Sequence, residues 1–130
     1  MGQPAAKQGG QIVATDTHII MVPSAGSPVP TPLPHPFSGI LDGGLSTDVK
    51  IVGMAAAVVG STATNTPPHI PQGGSFQTPP ANRGQIMMGS TTVLINGKGA
   101  ARNGDTATTC NDPADLPIGT VVAAGTVMIG

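Results

Sequence analysis

No stretch of useful length in this chain repeats its apolar residues every 3.6 positions, and Gly or Pro interrupts nearly every segment that could form a helix. Short apolar runs bounded by turn residues are found instead. The longest spans residues 49–60, and its Ala- and Val-rich part, residues 51–59, is interpreted as core because Gly53 and Gly60 bracket a segment of strand length. The pattern therefore predicts an all-β protein with almost no helix.

The chain also repeats itself. Residues 46–66 and 90–110 align without a gap at an offset of 44, with 11 of 21 positions identical. A weaker third copy begins the chain and matches the first of these segments at an offset of 51. Internal repetition of this kind indicates structurally equivalent units. The sequence thus predicts a fold built from pseudo-threefold repeats.

Turn dipeptides divide the copy at residues 90–110. Asn96-Gly97 and Asn103-Gly104 favour tight turns, and they separate segments 91–95, 98–102 and 105–109. We predict a three-stranded β-meander there. The other copy keeps the glycines, Gly53 and Gly60, so its turns are expected to persist. Residues 125–130 repeat the pattern of the first strand once more and are predicted to close the last sheet.

Composition predicts a folded, turn-rich single domain that spans residues 1–130. The 19 Gly and 14 Pro would favour disorder, but the hydrophobic content is 38% and the formal net charge is −1. With no Trp, no Tyr and only two Phe, small aliphatic side chains must form the core. Such a core buries little apolar area, so we expect a metal, a partner or both to support the fold.

The candidate chemistry consists of three histidines and one cysteine, His18, His35, His69 and Cys110. Three imidazoles and a thiolate complete a tetrahedral zinc site and leave no open position, which favours a structural role over a catalytic one. His18 and His69 occupy equivalent repeat positions, and Cys110 ends a shorter version of the same segment. His35 lies in a proline-rich stretch, residues 28–36, which we expect to be extended and to deliver its histidine without joining a sheet.

Several other features of the sequence have simpler interpretations than a binding or catalytic role. Asp16 and Asp105 are interpreted as turn residues rather than as carboxylates that orient a ligand histidine. The segment at residues 97–99 does not match a phosphate loop. Five Lys and Arg without interleaved aromatics argue against nucleic acid as a partner. A single cysteine forms no internal disulfide, and without a signal peptide or a spanning segment the protein is expected to be made in the cytoplasm.

Two segments carry a resemblance to a known family. Residues 4–7, Pro-Ala-Ala-Lys, are close to a Pro-Ala-Ala-Arg motif, and residues 95–105 resemble the strand, turn and Ala-Ala-Arg-x-Gly-Asp segment of PAAR-repeat proteins. Lys7 and Gly99 depart from that pattern, and the proline-rich insertion is similar to PAAR-like variants. The resemblance implies a small β cone whose apex is held by one structural Zn²⁺, with the ligands here being His18, His35, His69 and Cys110.

The resemblance further implies a function. PAAR proteins cap and sharpen the trimeric VgrG-type spike of type VI secretion systems and related contractile injection machines, one chain per trimer. We expect a non-enzymatic tip that contacts the target membrane transiently, with effector cargo as a further partner. Assembly into the particle would carry it out of the cell or into the target. Two alternatives stay open, namely a small zinc hydrolase with Cys110 free and a stand-alone structural adaptor.

Overall fold

The computed structural model describes residues 2–130. This part of the chain contains strands, turns and bends but no helix, as predicted. None of the described residues belongs to a helix long and apolar enough to span a membrane. The strands are β1 (Gln3–Pro4), β2 (Gln11–Val22), β3 (Val29–Gly43), β4 (Lys50–Ile51), β5 (Met54–Ala55), β6 (Thr62–Asn65), β7 (Ser75–Phe76), β8 (Arg83–Ile86), β9 (Leu94–Ile95), β10 (Lys98–Gly99), β11 (Thr106–Thr109), β12 (Leu116–Val122) and β13 (Met128–Ile129).

The largest sheet is antiparallel and closes on itself. Its seven strands run in the order β12-β11-β8-β6-β3-β2-β7, and β12 also pairs with β2. Six strands therefore form a ring, with β7 attached outside it to β2. Closure leaves few unpaired edges, which limits the exposure of backbone donors and acceptors in a protein with a small core.

Three two-stranded antiparallel pairs, two of them hairpins, lie beyond one end of the ring, and they correspond to the sequence repeats. They pair β4 with β5, β9 with β10, and β1 with β13. The predicted turn at Asn96-Gly97 is confirmed, with φ angles of 53° and 79°. The closure of the last sheet by the C-terminal segment is confirmed as well, because β13 pairs with the N-terminal strand β1.

The predicted three-stranded meander is wrong in its third strand. β9 and β10 form the expected hairpin, but β11 pairs with β8 and β12 in the ring instead of with β10. The chain turns at Gly104, whose φ is 91°, and the backbone of Ala101 before it hydrogen-bonds to both other repeats. Local turn signals mark where a strand ends, but they do not specify which sheet receives the next one.

The repeats meet around a pseudo-threefold axis, which confirms the pseudo-threefold prediction. The Ala6 N–H donates to the carbonyl of Ala101 (2.9 Å), Ala101 donates to Ala57 (3.0 Å), and Ala57 donates to Ala6 (3.0 Å). This cyclic set satisfies three backbone donors and three acceptors at the centre of the protein. All three alanines are buried, and a larger side chain would separate the repeats.

Small aliphatic residues fill the ring, as the composition predicted. Leu41, Ile86 and Val121 occupy equivalent positions and are almost fully buried, and Phe37 supplies the one large aromatic side chain of this cluster. The apolar run at residues 51–59 is core in its second half, whereas Val52 is 69% exposed. The Val52 side chain projects from the turn of the β4–β5 hairpin.

The proline-rich stretch is part of the ring, contrary to the expectation that it would stay outside a sheet. β3 pairs with β2 over twelve consecutive register positions, from Gln11↔Ile40 to Val22↔Val29. Prolines at alternate positions are tolerated because only every second residue of an antiparallel strand donates to a given neighbour. The neighbour on the other side, β6, pairs only with the end of β3 beyond these prolines.

Candidate metal centre

The long β2–β3 pair positions three of the side chains. Asp16 and His18 are two residues apart on β2, so both point to the inside of the ring, where they are 0% and 1% exposed. His35 on β3 is the direct cross-strand partner of Asp16 and is 2% exposed. Cross-strand partners project from the same face of a sheet. The hairpin therefore brings one carboxylate and two imidazoles to one place.

Two loops supply the remaining residues. His69 follows β6 and is 9% exposed, and Cys110 directly follows β11 and is 3% exposed. The backbone N–H of His69 donates to Asn82 Oδ1 (2.8 Å), and its Nδ1 lies 3.2 Å from Asn65 Nδ2. Beyond Cys110, the side chain of Asn111 accepts a 2.7 Å hydrogen bond from the Thr17 N–H of β2. Both loops are thus held against the ring by hydrogen bonds.

The structure brings three of the four predicted residues, His18, His69 and Cys110, into one group, and Asp16 belongs to the same group. Donor atoms of Asp16, His18, His69 and Cys110 all lie within 4.8 Å of one another, and all four residues are buried. Asp16 Oδ2 is 2.9 Å from His69 Nε2 and 3.5 Å from Cys110 Sγ, and Cys110 Sγ is 3.6 Å from His18 Nε2. This group could hold one metal ion.

His35 lies beside the group of four. Its ring centroid is 5.4 Å from that of His18 and 5.4 Å from that of His69, while His18 and His69 are 4.9 Å apart. Three imidazoles bound through nitrogen to one tetrahedral zinc have centroids roughly 5.2 Å apart, given zinc–nitrogen distances of about 2.0–2.1 Å. The three rings lie close together, but His35 is not one of the four residues whose donor atoms are all within 4.8 Å of one another.

The hydrogen bonding of His35 prepares it to bind a cation. Its Nδ1 is 2.9 Å from the carbonyl oxygen of Leu33, and because a carbonyl only accepts, Nδ1 carries the proton. Nε2 is then left with a lone pair. That atom is buried and has no hydrogen-bond partner within residues 2–130. A buried unsatisfied polar atom costs about 1–3 kcal/mol, and a bound cation would remove this cost.

The electrostatics favour neutral imidazole and a protonated thiol until a metal binds. Burial lowers the pKa of His18, which keeps its lone pair available near neutral pH. Burial, followed by the nearby Asp16 carboxylate, raises the pKa of Cys110 to about 11. A metal must therefore displace the Cys110 proton, and the cost of doing so is part of the binding free energy.

The interpretation of Asp16 as a turn residue is wrong. Asp16 lies in the middle of β2, and its Oδ1 accepts a hydrogen bond from the Thr109 hydroxyl. The strand period could have revealed it, because a residue two positions before His18 shares its face. Asp105, by contrast, is a turn residue as predicted and accepts hydrogen bonds from the Arg102 backbone and guanidinium.

Comparison with known proteins agrees with these observations. The model of the PAAR motif family matches residues 1–113 and 77–130, which together span the chain. The chain belongs to the PAAR motif family. A comparison with curated proteins returned no match.

Membership of the PAAR family supports a coarse function. PAAR proteins are structural proteins associated with the spike of type VI secretion systems, and the family implies association with a VgrG-type spike. The β fold, which has no helix among residues 2–130, and the buried group of side chains that could hold a metal are consistent with this family.

Proposed function

We propose that this PAAR protein is a non-enzymatic, zinc-stapled tip. It caps the trimeric VgrG-type spike of a contractile injection machine, one chain per trimer, and helps the spike to puncture the target membrane. The observation that carries the proposal is the pseudo-threefold ring of alanine hydrogen bonds, since it gives a single chain a face that repeats three times. A threefold face matches a threefold partner without requiring three copies of the tip.

The face in question is formed by the three two-stranded pairs, β4 with β5, β9 with β10 and β1 with β13, and is called here the hairpin face. Val49, Val93 and Val127 are equivalent, because each accepts through its carbonyl a hydrogen bond from the alanine of its own repeat. Their side chains are 37%, 37% and 39% exposed. One residue further along, two of the repeats have Leu94 and Met128, which are more than half exposed, and the other has the exposed Lys50. The hairpin face thus offers a partner three equivalent valines, with a second apolar side chain beside two of them.

The metal centre lies away from the hairpin face. Ile12 belongs to the ring core, and His18 lies six residues further along β2, roughly 20 Å at the usual rise per residue. We infer that His18, His35, His69 and Cys110 bind one Zn²⁺ there. The ion would cross-link two strands of the ring and two loops, which rigidifies the end of the molecule opposite the spike. Rigidity at that end is what puncture requires.

Co-purification with a trimeric VgrG-type spike tests the docking proposal. Native mass spectrometry should find one chain per spike trimer, and two or three chains bound to one trimer would contradict the stoichiometry. Replacing Val49, Val93 and Val127 together by Asp should abolish binding while the circular dichroism spectrum is retained. The matched control is Ile118→Asp, an apolar residue of β12 that is 44% exposed and lies outside the hairpins.

Metal analysis tests the zinc proposal separately. We expect one zinc ion per chain and, after cobalt substitution, a thiolate-to-cobalt charge-transfer band that disappears in Cys110→Ser. Absence of that band would favour an open site of the hydrolase type, in which Cys110 is free. Cell fractionation should find the protein in the cytoplasm before firing and outside the cell only when the injection machine is functional.

A further inference from the structure

Three equivalent positions on the hairpin face carry three different side chains. In each strand pair, one outward residue lies between a partly exposed valine and an isoleucine that is 7% exposed. The three isoleucines pack into one core cluster. The outward residues are Lys50, Leu94 and Met128, all of them exposed. The hairpin face is therefore threefold in its backbone but not in its chemistry, because one of these three side chains ends in a charge.

The register of the strand pairs supports the equivalence of the three positions. Each outward residue has a small cross-strand partner: Lys50 pairs with Ala55, Leu94 with Gly99, and Met128 with Pro4. Cross-strand partners project from the same face of a sheet. Each strand pair thus presents one long, unbranched or singly branched side chain beside a small residue, at the same place in the repeat.

We propose that Lys50, Leu94 and Met128 occupy three identical apolar pockets on the trimeric spike, and that Lys50 fills its pocket with its aliphatic stem while its ammonium stays in water at the rim. The inference rests on the proposed docking of the hairpin face and deepens it by naming the chemistry of the partner's surface. A trimer with threefold symmetry repeats every pocket three times. The same pocket must therefore accept a lysine, a leucine and a methionine at its three copies.

Symmetry argues against a pocket that contains a carboxylate. Such a pocket would suit Lys50, but its other two copies would be covered by Leu94 and Met128. Two carboxylates would then be buried without a partner for every ion pair gained, and a buried unpaired charge is strongly unfavourable. An apolar pocket has no such cost, since a lysine can bury its methylene groups along apolar surface and keep its ammonium in water.

The side chain of Lys50 is available for this contact. Among residues 2–130 it has no ion-pair or hydrogen-bond partner, whereas the ammonium of Lys7 donates to the carbonyl of Ala124 (3.0 Å). Docking therefore breaks no side-chain contact that Lys50 makes within this part of the chain. It does restrict the rotamers of the side chain, and this entropy cost is larger for lysine than for leucine. Lys50 is thus expected to be the weakest of the three contacts.

Calorimetric titration of single variants with the isolated trimeric VgrG-type spike tests the proposal. Lys50→Leu should lower the dissociation constant roughly tenfold, because leucine buries its whole side chain and loses less rotamer freedom. Leu94→Lys should raise the dissociation constant by the same factor, because the two pockets are identical. Met128→Lys should have the same effect as Leu94→Lys, and it takes the place of that variant if the circular dichroism spectrum of Leu94→Lys shows misfolding.

A double variant provides the sharper test. Lys50→Leu combined with Leu94→Lys moves the lysine from one repeat to the next, which is equivalent to rotating the protein by one third of a turn on its partner. Its dissociation constant should return to within roughly twofold of the wild-type value, since substitutions at separate sites add. The matched control is Arg83→Leu, which removes one positive charge and adds an exposed leucine on β8 of the ring, where Arg83 pairs with Thr64. This control should leave the dissociation constant unchanged.

Three outcomes would overturn the proposal. Weaker binding of Lys50→Leu would show that the ammonium is paired with the partner. A double variant that binds as weakly as Leu94→Lys alone would show that the pockets are not equivalent. Unchanged binding in all the single variants would place these residues outside the interface. If the wild-type protein does not bind the spike at all, the docking proposal itself fails, and this result is distinguishable because the wild type then gives no binding isotherm.

Discussion

Asp16 and His35 are direct cross-strand partners on β2 and β3, and both side chains are buried inside the ring. The pair links the two longest strands at the level of the metal centre. One member is a carboxylate and the other an imidazole whose Nε2 has no hydrogen-bond partner in the described part of the chain. Because β2 and β3 are paired along twelve positions, this arrangement is fixed before any metal arrives. The centre is therefore largely preorganised.

Because the metal centre is preorganised by the strands, we expect metal removal to reduce the local stability of the metal centre more than that of the six-stranded ring. Chelation should lower the melting temperature, and added zinc should restore it, since a ligand at 100 times its Kd stabilises the folded state by about 2.7 kcal/mol. Hydrogen exchange after chelation should increase first in the loops around His69 and Cys110. An equal increase in exchange at Ala6, Ala57 and Ala101 would contradict a stabilising effect of the metal that is confined to its own site.

Acid should release the metal and destabilise the protein. The pKa of His18 is lowered in the folded state, so below the ordinary value of 6.5 the unfolded chain binds a proton that the folded chain resists. Stability is therefore fully present above pH 6.5 and falls as the pH drops below it. Zinc content and melting temperature measured from pH 7.5 to pH 5 should fall together. Retained zinc and an unchanged melting temperature at pH 5 would contradict the assignment of histidine ligands.

Alkali should destabilise the metal-free protein for the opposite reason. The pKa of Cys110 is raised from 9.0 to about 11, so between these values the unfolded chain has lost a proton that the folded chain keeps. Stability should decline as the pH rises above 9.0. Urea unfolding of the chelated protein between pH 8 and pH 10.5 measures this decline, and Cys110→Ser should remove it.

A larger side chain at Ala6, Ala57 or Ala101, the three alanines joined by the cyclic hydrogen bonds, should destabilise the protein. Ala101→Val adds two methyl groups where the backbones of three repeats meet, and overpacking of this kind costs typically about 1–3 kcal/mol. Ala124→Val, at an exposed position, should change the free energy of unfolding by less than about 0.5 kcal/mol. Urea denaturation of both variants provides the comparison, and equal effects would show that the ring is not tightly packed.

A substitution at Val52, in the turn between β4 and β5, should increase the stability of the protein. Val52 has a φ of 50°, a conformation that β-branched residues rarely adopt, and the equivalent residue in the next repeat is Asn96 with a φ of 53°. Because the Val52 side chain is 69% exposed, little packing is lost on replacing it. Val52→Asn should stabilise the protein by about 1 kcal/mol. Asn96→Val should destabilise it by more, since Asn96 also hydrogen-bonds to Ser46 and Asp48.

Several features could be predicted from the sequence because they depend on local patterns. The lack of helix follows from the Gly and Pro spacing, the hairpin turn follows from Asn96-Gly97, and the pseudo-threefold arrangement follows from the repeated segments. Each of these signals lies within a few residues or recurs at a fixed offset. Turn chemistry and repetition can therefore be recognised without knowing which strands pair.

Pairing between distant segments was decided only by the tertiary structure. β11 pairs within the ring instead of in the predicted meander. The prolines of β3 are tolerated in a sheet because their nitrogens, which lack a hydrogen, face the side of β3 that β6 does not cover. Asp16 joined the metal-binding side chains because pairing of β2 with β3 and docking of Thr109 brought them together. The sequence by itself determined the strands, turns and repeats, since these depend on neighbours along the chain. Which carboxylate faces the histidines depends on register and closure, which are properties of the folded ring alone.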